Sequence, residues 1–293
     1  MEKIKNADVA IVFLCSKSLP PFNYIILEQI LLKGHTYLAP FFDLRRNIMK
    51  RHIPNFITLL NVFCGCVASV FAVLNKLEIA AIFVALGIFF DFFDGLAARV
   101  LDVKSELGLQ LDSLADMITS GLVPGIVMFQ LLAMSQTSGW GDGSHFFLES
   151  GAITLQHLLP FFGFVITMAS GYRLAKFNID ENQTSSFIGL PTPANALLIL
   201  SLPLILMYQN NELLNGIILN QWFLIILTLV SAYLLNANLP LFALKFKNTS
   251  FKDNAMRYIF LIISLVLIVT MKFMAIPLII LFYVVSSVIQ ERL

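Results

Sequence analysis

Eight long apolar segments constrain this chain more than any other feature. They cover approximately residues 56–74, 78–97, 112–133, 154–175, 190–208, 217–236, 256–271 and 275–290. About 20 apolar residues are enough to cross a bilayer as a helix. Lipid offers no partner to an unpaired backbone group, so each segment should be helical. The sequence therefore predicts an all-α, polytopic transmembrane bundle of about eight spans.

The composition supports a membrane protein. Hydrophobic residues make up 58% of the chain, charged residues only 13%, and the mean hydropathy is +0.83. Soluble domains carry about 25% charged residues. The formal net charge is only +1, and the sequence has no basic stripe of the kind that nucleic-acid binding requires. We therefore expect no nucleic-acid partner.

The basic residues give an orientation. If the residues before position 56 are cytoplasmic, thirteen basic residues fall on the cytoplasmic side: Arg45, Arg46, Lys50, Arg51, Arg99, Lys104, Arg173, Lys176, Lys245, Lys247, Lys252, Arg257 and Arg292. Only Lys76 and Lys272 fall on the other side. This bias follows the positive-inside rule and predicts that the loops after the second and fourth spans are cytoplasmic. An eight-span chain of this kind suits a bacterial inner membrane.

Four aspartates lie at the cytoplasmic edges of the second and third apolar segments. Asp91 and Asp94 are three residues apart, and Asp112 and Asp116 are four apart, so each pair shares one face of its helix. We expect the dipole at the start of the third helix to stabilise Asp112. A single intramembrane aspartate often pairs with Arg or Lys, but the nearby Arg99 and Lys104 cannot neutralise four carboxylates.

A hard cation would remove the repulsion among these carboxylates. The stretch offers only oxygen ligands, which suit Mg²⁺, Mn²⁺ or Ca²⁺ better than zinc. Gly95 and Gly108 allow a backbone or a phosphate to approach closely, and Arg99 offers a planar fork to phosphate oxygens. Together these residues indicate a metal-dependent pyrophosphate site. An ion-coupled transporter is the remote alternative, but it predicts repeat symmetry and acids near the midplane, which the sequence lacks.

Residues 91–116 read D-x2-D-G-x2-A-R-x8-G-x3-D-x3-D. This pattern resembles the signature of the CDP-alcohol phosphatidyltransferase family at all eight fixed positions. The resemblance implies transfer of a phosphatidyl group from CDP-diacylglycerol to a small alcohol, with release of CMP. It also implies a six-helix core with two further C-terminal helices, a catalytic membrane domain over 49–236, a two-helix extension over 237–293, and a homodimer.

The family pattern implies roles for individual residues. Asp91, Asp94, Asp112 and Asp116 would bind Mg²⁺ or Mn²⁺, Asp112 and Asp116 would be catalytic, and Asp116 would act as the general base. The expected contacts to the CDP moiety are Asn55, Thr58, Asp91, Gly95, Ala98, Arg99 and Gly108. Asn55 and Thr58 could equally cap the first helix, and both roles are compatible.

Four other stretches resemble the bacterial phosphatidylserine synthase subgroup of this family: IPNFITLLN, LDSLADMITSGLVPG, YRLAKFNID and FIGLPTPANA. This similarity implies L-serine as the acceptor, contacted by Arg173 and Lys176. The same two residues also satisfy the positive-inside rule alone, and Lys176 stands where the subgroup has Arg. Glycerol 3-phosphate or inositol is the alternative acceptor.

The first 48 residues are expected to be dispensable, because ADVAIVFLCS is too short to span a bilayer and a basic, helix-ready segment begins at Met49. We interpret 1–48 as an interfacial appendage or as the product of an over-long start. A chain beginning at Met49 should insert into membranes and retain the activity of the full chain, as measured by transferase assay of purified membranes. Loss of activity in a correctly inserted truncation would contradict this interpretation.

Overall fold

A computed structural model describes residues 52–103, 105–136, 155–179, 187–209, 211–241 and 251–292. The proposed appendage, 1–48, lies outside the described residues. The helices are α1 (His52–Val73), α2 (Leu77–Val100), α3 (Glu106–Met134), α4 (Phe164–Ile179), α5 (Thr192–Tyr208), α6 (Glu212–Ile218), α7 (Gln221–Asn236), α8 (Phe251–Met271) and α9 (Ala275–Arg292).

Three short helical turns complete the described helical structure. Leu155–Leu158 and Leu159–Gly163 precede α4, and Lys272–Met274 joins α8 to α9. The described strands are β1 (Phe187–Ile188) and β2 (Pro240–Leu241), which pair antiparallel with Phe187 opposite Leu241. The predicted all-α membrane bundle is confirmed, since this two-residue pair only ties the loop before α5 to the loop after α7.

Length and apolarity alone identify four described segments that can cross a membrane: His52–Val73, Leu77–Val100, Glu106–Met134 and Asn254–Ile289. A fifth arises if α6 and α7, bent by 61°, form one span. The segment Asn254–Ile289 folds back on itself, because Phe260 stacks on Phe282 with ring centroids 5.8 Å apart. In a straight helix these two residues would be about 33 Å apart.

The most deeply buried apolar side chains lie where α2, α3 and α5 pack together. Val84 of α2, Met128 and Leu131 of α3, and Ile199 of α5 have no exposed surface. At the end of α2 away from the aspartates, the Tyr208 hydroxyl of α5 donates to Glu78 of α2 at 3.1 Å. These contacts fix the helices that carry the aspartates relative to one another.

The third helix begins six residues before the apolar segment that predicted it. The Ser105 hydroxyl oxygen accepts a hydrogen bond from the Gly108 backbone N–H at 3.0 Å, so Ser105 caps a helix that starts at Glu106. The expected dipole stabilisation of Asp112 is therefore wrong, since the effect fades within the first turn. Glu106 occupies that favourable position instead.

A π-helical stretch, Met117–Leu122, follows directly after Asp116 and contacts α1 and α2 closely. The Thr119 hydroxyl donates to the Asn61 side-chain oxygen of α1 at 2.7 Å. Two glycines make this approach possible. A Cβ on Gly65 would lie 2.5 Å from Thr119 Oγ1, and one on Gly87 would lie 2.6 Å from Thr119 Cγ2. The glycines therefore set the spacing of the helices beneath the site.

Gly87→Ala should destabilise the protein, because the new methyl group would overlap both Thr119 and the Asn61 oxygen, 2.8 Å away. We expect a loss of about 1–3 kcal/mol, the usual cost of overpacking. Thermal unfolding of the detergent-purified protein measures the change. Gly216→Ala is the matched control, since no atom lies within 4 Å of a Cβ there. Equal midpoints for the two variants would contradict the tight contact.

Candidate active site

Three aspartates converge between α2 and α3. Asp91 and Asp94 of α2 and Asp112 of α3 each place a carboxylate oxygen within 4.8 Å of the others. We call these residues the acidic triad. The i, i+3 spacing puts the first two on one face of α2, and the packing of α3 brings the third against them. Asp94 is buried, while Asp91 and Asp112 are half-buried.

Few protein groups offset the negative charge of the acidic triad. The Thr58 hydroxyl of α1 donates to Asp94 Oδ2 at 2.5 Å. Asp91 and Asp112 lie within hydrogen-bonding reach of each other, which sets two like-charged groups side by side unless a proton or a cation joins them. Carboxylates this close and this far from bulk water are costly without positive charge.

The acidic triad fits a hard divalent cation. Asp112 Oδ1 is buried and has no hydrogen-bond partner among the described residues. A buried oxygen of this kind normally has a partner, so its isolation indicates a missing ligand. The available donors are all carboxylate oxygens, the set preferred by Mg²⁺, Mn²⁺ and Ca²⁺.

Asp116, the fourth predicted ligand, is outside the acidic triad but next to it. It lies four residues further into α3 and interacts electrostatically with Asp112 and Asp94. It also interacts electrostatically with Arg173 of α4. The side-chain nitrogen of Asn61, also beside Asp116, is buried. Asp116 therefore differs from the triad in having a positively charged neighbour.

A cavity of about 760 Å³ opens beside the acidic triad. This volume lies within the range of small-molecule sites. The lining residues come from α1, α2, α3 and the end of α4: Pro54, Asn55, Thr58, Asp94, Gly95, Ala98, Arg99, Val103, Ser105, Glu106, Gly108, Leu109, Asp112 and Phe177. The lining includes Asp94 and Asp112 of the triad and residues of the short loop before α3.

Six of the seven predicted CDP contacts line this cavity: Asn55, Thr58, Gly95, Ala98, Arg99 and Gly108. The seventh, Asp91, is in the triad but is not among the lining residues. The alternative role of Asn55 and Thr58 as helix caps is wrong, because α1 already includes His52. A Cβ on Gly108 would meet Ser105 Oγ at 3.0 Å and Asn55 Oδ1 at 3.3 Å, so glycine keeps this wall open.

The two predicted acceptor contacts occupy different surroundings. Arg173 is half-buried beside Asp116, and its Nε has no hydrogen-bond partner among the described residues. Lys176 is exposed, and its Nζ lies 3.5 Å from Asn238 Oδ1 in the loop before β2. Arg173 is thus the cation next to the acids, and Lys176 lies nearer the surface.

Sequence reasoning missed several lining residues, among them Ser105, Glu106 and Phe177. Ser105 and Glu106 fall in the eight unspecified positions of the motif, although a serine followed by an acid is a recognisable helix start. Phe177 carried no signal, since it is one of 27 phenylalanines. Its position is fixed by the next residue, because Asn178 accepts from Ser113 and donates to Gln110 of α3.

Comparison with known proteins gives consistent matches. A protein of Bacillus subtilis named CDP-diacylglycerol–serine O-phosphatidyltransferase is 32% identical over 146 residues, which are 48% of this chain and 70% of that protein. Proteins with the same name from Mycobacterium tuberculosis and Saccharomyces cerevisiae are 26% and 30% identical. The matches cover 67% and 55% of this chain, and 63% and 55% of those proteins.

The family profile described as CDP-alcohol phosphatidyltransferase matches residues 51–234. That range includes the acidic triad, Asp116 and every lining residue of the cavity. The match extends over more than half of the 293 residues and coincides with the helices that form the site. The chain is therefore an enzyme that belongs to the CDP-alcohol phosphatidyltransferase family.

Proposed function

We propose that this enzyme transfers the phosphatidyl group of CDP-diacylglycerol to L-serine, giving phosphatidylserine and CMP. One observation carries the proposal: three carboxylates cluster between two apolar helices, and two of them line a cavity large enough for a nucleotide. The names of the relatives support serine as the acceptor. The basic residues on the same side of the bundle favour the cytoplasmic face of an inner membrane.

Asp91, Asp94 and Asp112 would hold the divalent cation, Mg²⁺ or Mn²⁺, and Asp116, which interacts electrostatically with Asp112 and Asp94, would complete the set. When bound, the cation supplies positive charge that offsets the negative charge of the pyrophosphate and makes CMP a better leaving group. The Thr58 hydroxyl, which donates to Asp94, keeps that carboxylate in place. The triad residues would thus position the pyrophosphate beside Asp94 and Asp112 in the cavity.

The cavity walls would bind the rest of the nucleotide. Arg99 is held by its own helix, since its Nε donates to the Gly95 carbonyl at 2.9 Å, and its terminal nitrogens remain available for a phosphate. Gly108 and Ala98 leave room for the ribose. Asn55 presents its side-chain oxygen on the same wall. The diacylglycerol tails would remain in lipid beside the exposed apolar faces of the helices.

Asp116 would act as the general base. As the serine oxygen forms its bond to phosphorus and the bond to CMP breaks, the Asp116 carboxylate accepts the hydroxyl proton. Arg173 lies beside Asp116 with an unpartnered Nε, and it would bind the serine carboxylate and bring the hydroxyl to the base. Lys176, which is exposed, would attract the acceptor at the entrance. We also expect the enzyme to be a homodimer, as its family resemblance implies.

Asp116→Asn should abolish turnover without preventing folding. The amide keeps the shape of the side chain but cannot accept the proton, so we expect kcat to fall by about 10²–10⁴-fold. The purified variant should still bind CDP-diacylglycerol, measured by its thermal stabilisation with the substrate and Mg²⁺. Glu78→Gln is the matched control, because it removes a carboxylate from the far end of α2 and should leave kcat unchanged. Full turnover by Asp116→Asn would remove the base assignment.

The acceptor is tested by supplying the purified enzyme with CDP-diacylglycerol, Mg²⁺ or Mn²⁺ and one labelled alcohol at a time. We expect phosphatidylserine from L-serine and little product from glycerol 3-phosphate or inositol, since neither has the carboxylate that Arg173 would bind. Chelation of the divalent ion should abolish product formation. Formation of phosphatidylglycerophosphate without phosphatidylserine would overturn serine as the acceptor.

A further inference from the structure

A fully buried amide of α1 lies between Asp116 and the π-helical stretch. Asn61 has no exposed surface, and its side-chain oxygen accepts a hydrogen bond from the Thr119 hydroxyl at 2.7 Å. Its side-chain nitrogen lies beside Asp116 and completes no hydrogen bond among the described residues. Buried amides normally use both ends. One end of Asn61 is therefore fixed by Thr119, and the other is left for Asp116.

From this arrangement we infer that Asn61 is a positioning residue for Asp116 and that Thr119 sets the direction of the Asn61 amide. The NH₂ group of Asn61 holds one oxygen of the Asp116 carboxylate, so that the other oxygen meets the acceptor hydroxyl. This role deepens the proposed function and rests on it, because it takes Asp116 as the general base. Asn61 and Thr119 both lie outside the motif at residues 91–116.

The hydrogen bonds of Thr119 decide which end of the amide faces Asp116. The Thr119 hydroxyl lies 2.7 Å from Asn61 Oδ1 and 3.2 Å from the Asn61 backbone carbonyl oxygen. The backbone carbonyl can only accept, so the hydroxyl is the donor, and the amide oxygen is the suitable partner on the same side. The reverse orientation would place the amide oxygen against the Asp116 carboxylate, and neither of those groups can donate. The NH₂ group therefore faces Asp116.

Two glycines enclose this hydrogen bond and leave the amide little room to turn. A Cβ on Gly87 would lie 2.8 Å from Asn61 Oδ1, and one on Gly65 would lie 2.5 Å from Thr119 Oγ1. Thr119 is three residues after Asp116 in the sequence and has no exposed surface. The same segment of chain thus carries the base and the hydroxyl that orients its partner.

The surroundings of Asp116 explain why its carboxylate needs such a support. Asp112 and Asp94 repel it, and Arg173 attracts it. A carboxylate under these opposing forces can turn about its side-chain bonds, and a base that is misplaced by about 1 Å loses much of its effect. A hydrogen bond from the rigid Asn61 amide would limit that rotation. Its loss should lower kcat and leave nucleotide binding intact, because Asn61 does not line the cavity.

Two substitutions of Thr119 separate orientation from packing. Thr119→Val keeps the shape but removes the hydroxyl, so kcat of the purified enzyme should fall about tenfold or more, with little change in the KM for CDP-diacylglycerol. Thr119→Ser keeps the hydroxyl and removes the methyl group beside Gly87, so it should lower the thermal midpoint and retain kcat. Thr228→Val is the matched control. It removes an equally buried hydroxyl, bonded within α7 to Leu224, and should leave kcat unchanged.

Asn61→Leu provides a second readout, since leucine has a similar volume but no NH₂ group. It should lower kcat about 10–100-fold, while CMP with Mg²⁺ still raises the thermal midpoint of the variant. The double variant with Thr119→Val should have the kcat of Asn61→Leu alone, because residues that act through one hydrogen bond are not additive. Equal kcat values for Thr119→Val and Thr119→Ser, or a loss in Thr119→Ser alone, would show that the pair serves packing only and would overturn the inference.

The comparison is independent of the acceptor, because each kcat is measured with whichever alcohol the unsubstituted enzyme accepts. Failure of the proposed function would appear as absence of phosphatidyl transfer to any alcohol by the unsubstituted enzyme, or as full turnover by Asp116→Asn. Failure of the inference would appear only in the Thr119 and Asn61 variants of an active enzyme.

Discussion

Three carboxylates held together by two apolar helices are the constraint around which the rest of the structure is arranged. Asp91, Asp94 and Asp112 lie close enough to repel one another, and the Thr58 hydroxyl donates to Asp94 alone among them. Packing elsewhere holds the helices in place against this repulsion. A cation at the acidic triad would neutralise the repulsion among the carboxylates. The cluster that packing holds together would then be a binding site.

The packing that opposes the repulsion lies immediately beneath the site. The π-helical stretch after Asp116 places Thr119 against Asn61, and the glycines at 65 and 87 permit that approach. π-helical turns are often found at functional sites because they alter the register of side chains. Here the π-helical turn begins one residue after Asp116. It therefore lies along the third helix between the aspartates and the buried core.

The site also separates two kinds of charge. Asp94 and Asp112 of the triad line the cavity, and no described basic residue is bonded to them, while Asp116 interacts with Arg173. Under the proposed function the triad holds the metal ion, and Asp116 takes the acceptor proton beside the Arg173 side chain that binds the acceptor. The triad and the single neighbouring Asp116 thus lie in different electrostatic surroundings.

Much of this enzyme could be predicted from its sequence. The apolar segments required helices because lipid cannot satisfy the backbone, and the spacing of the aspartates required paired acids on helix faces. The pattern within residues 91–116 indicated the family, which the profile match over residues 51–234 confirmed. Helix starts were less predictable, since α3 begins at the cap Ser105 and not where its apolar stretch begins.

Only the tertiary structure decided which groups meet. The order of residues along the chain could not show that Asp116 interacts with Arg173 and stands outside the triad. That arrangement depends on how α4 packs against α3. Nor could it place Phe177 in the cavity beside the acidic triad, since one phenylalanine among 27 gives no sign of its neighbours. Periodicity fixes what lies on one face of a helix, whereas contacts between helices depend on packing that is distant in sequence.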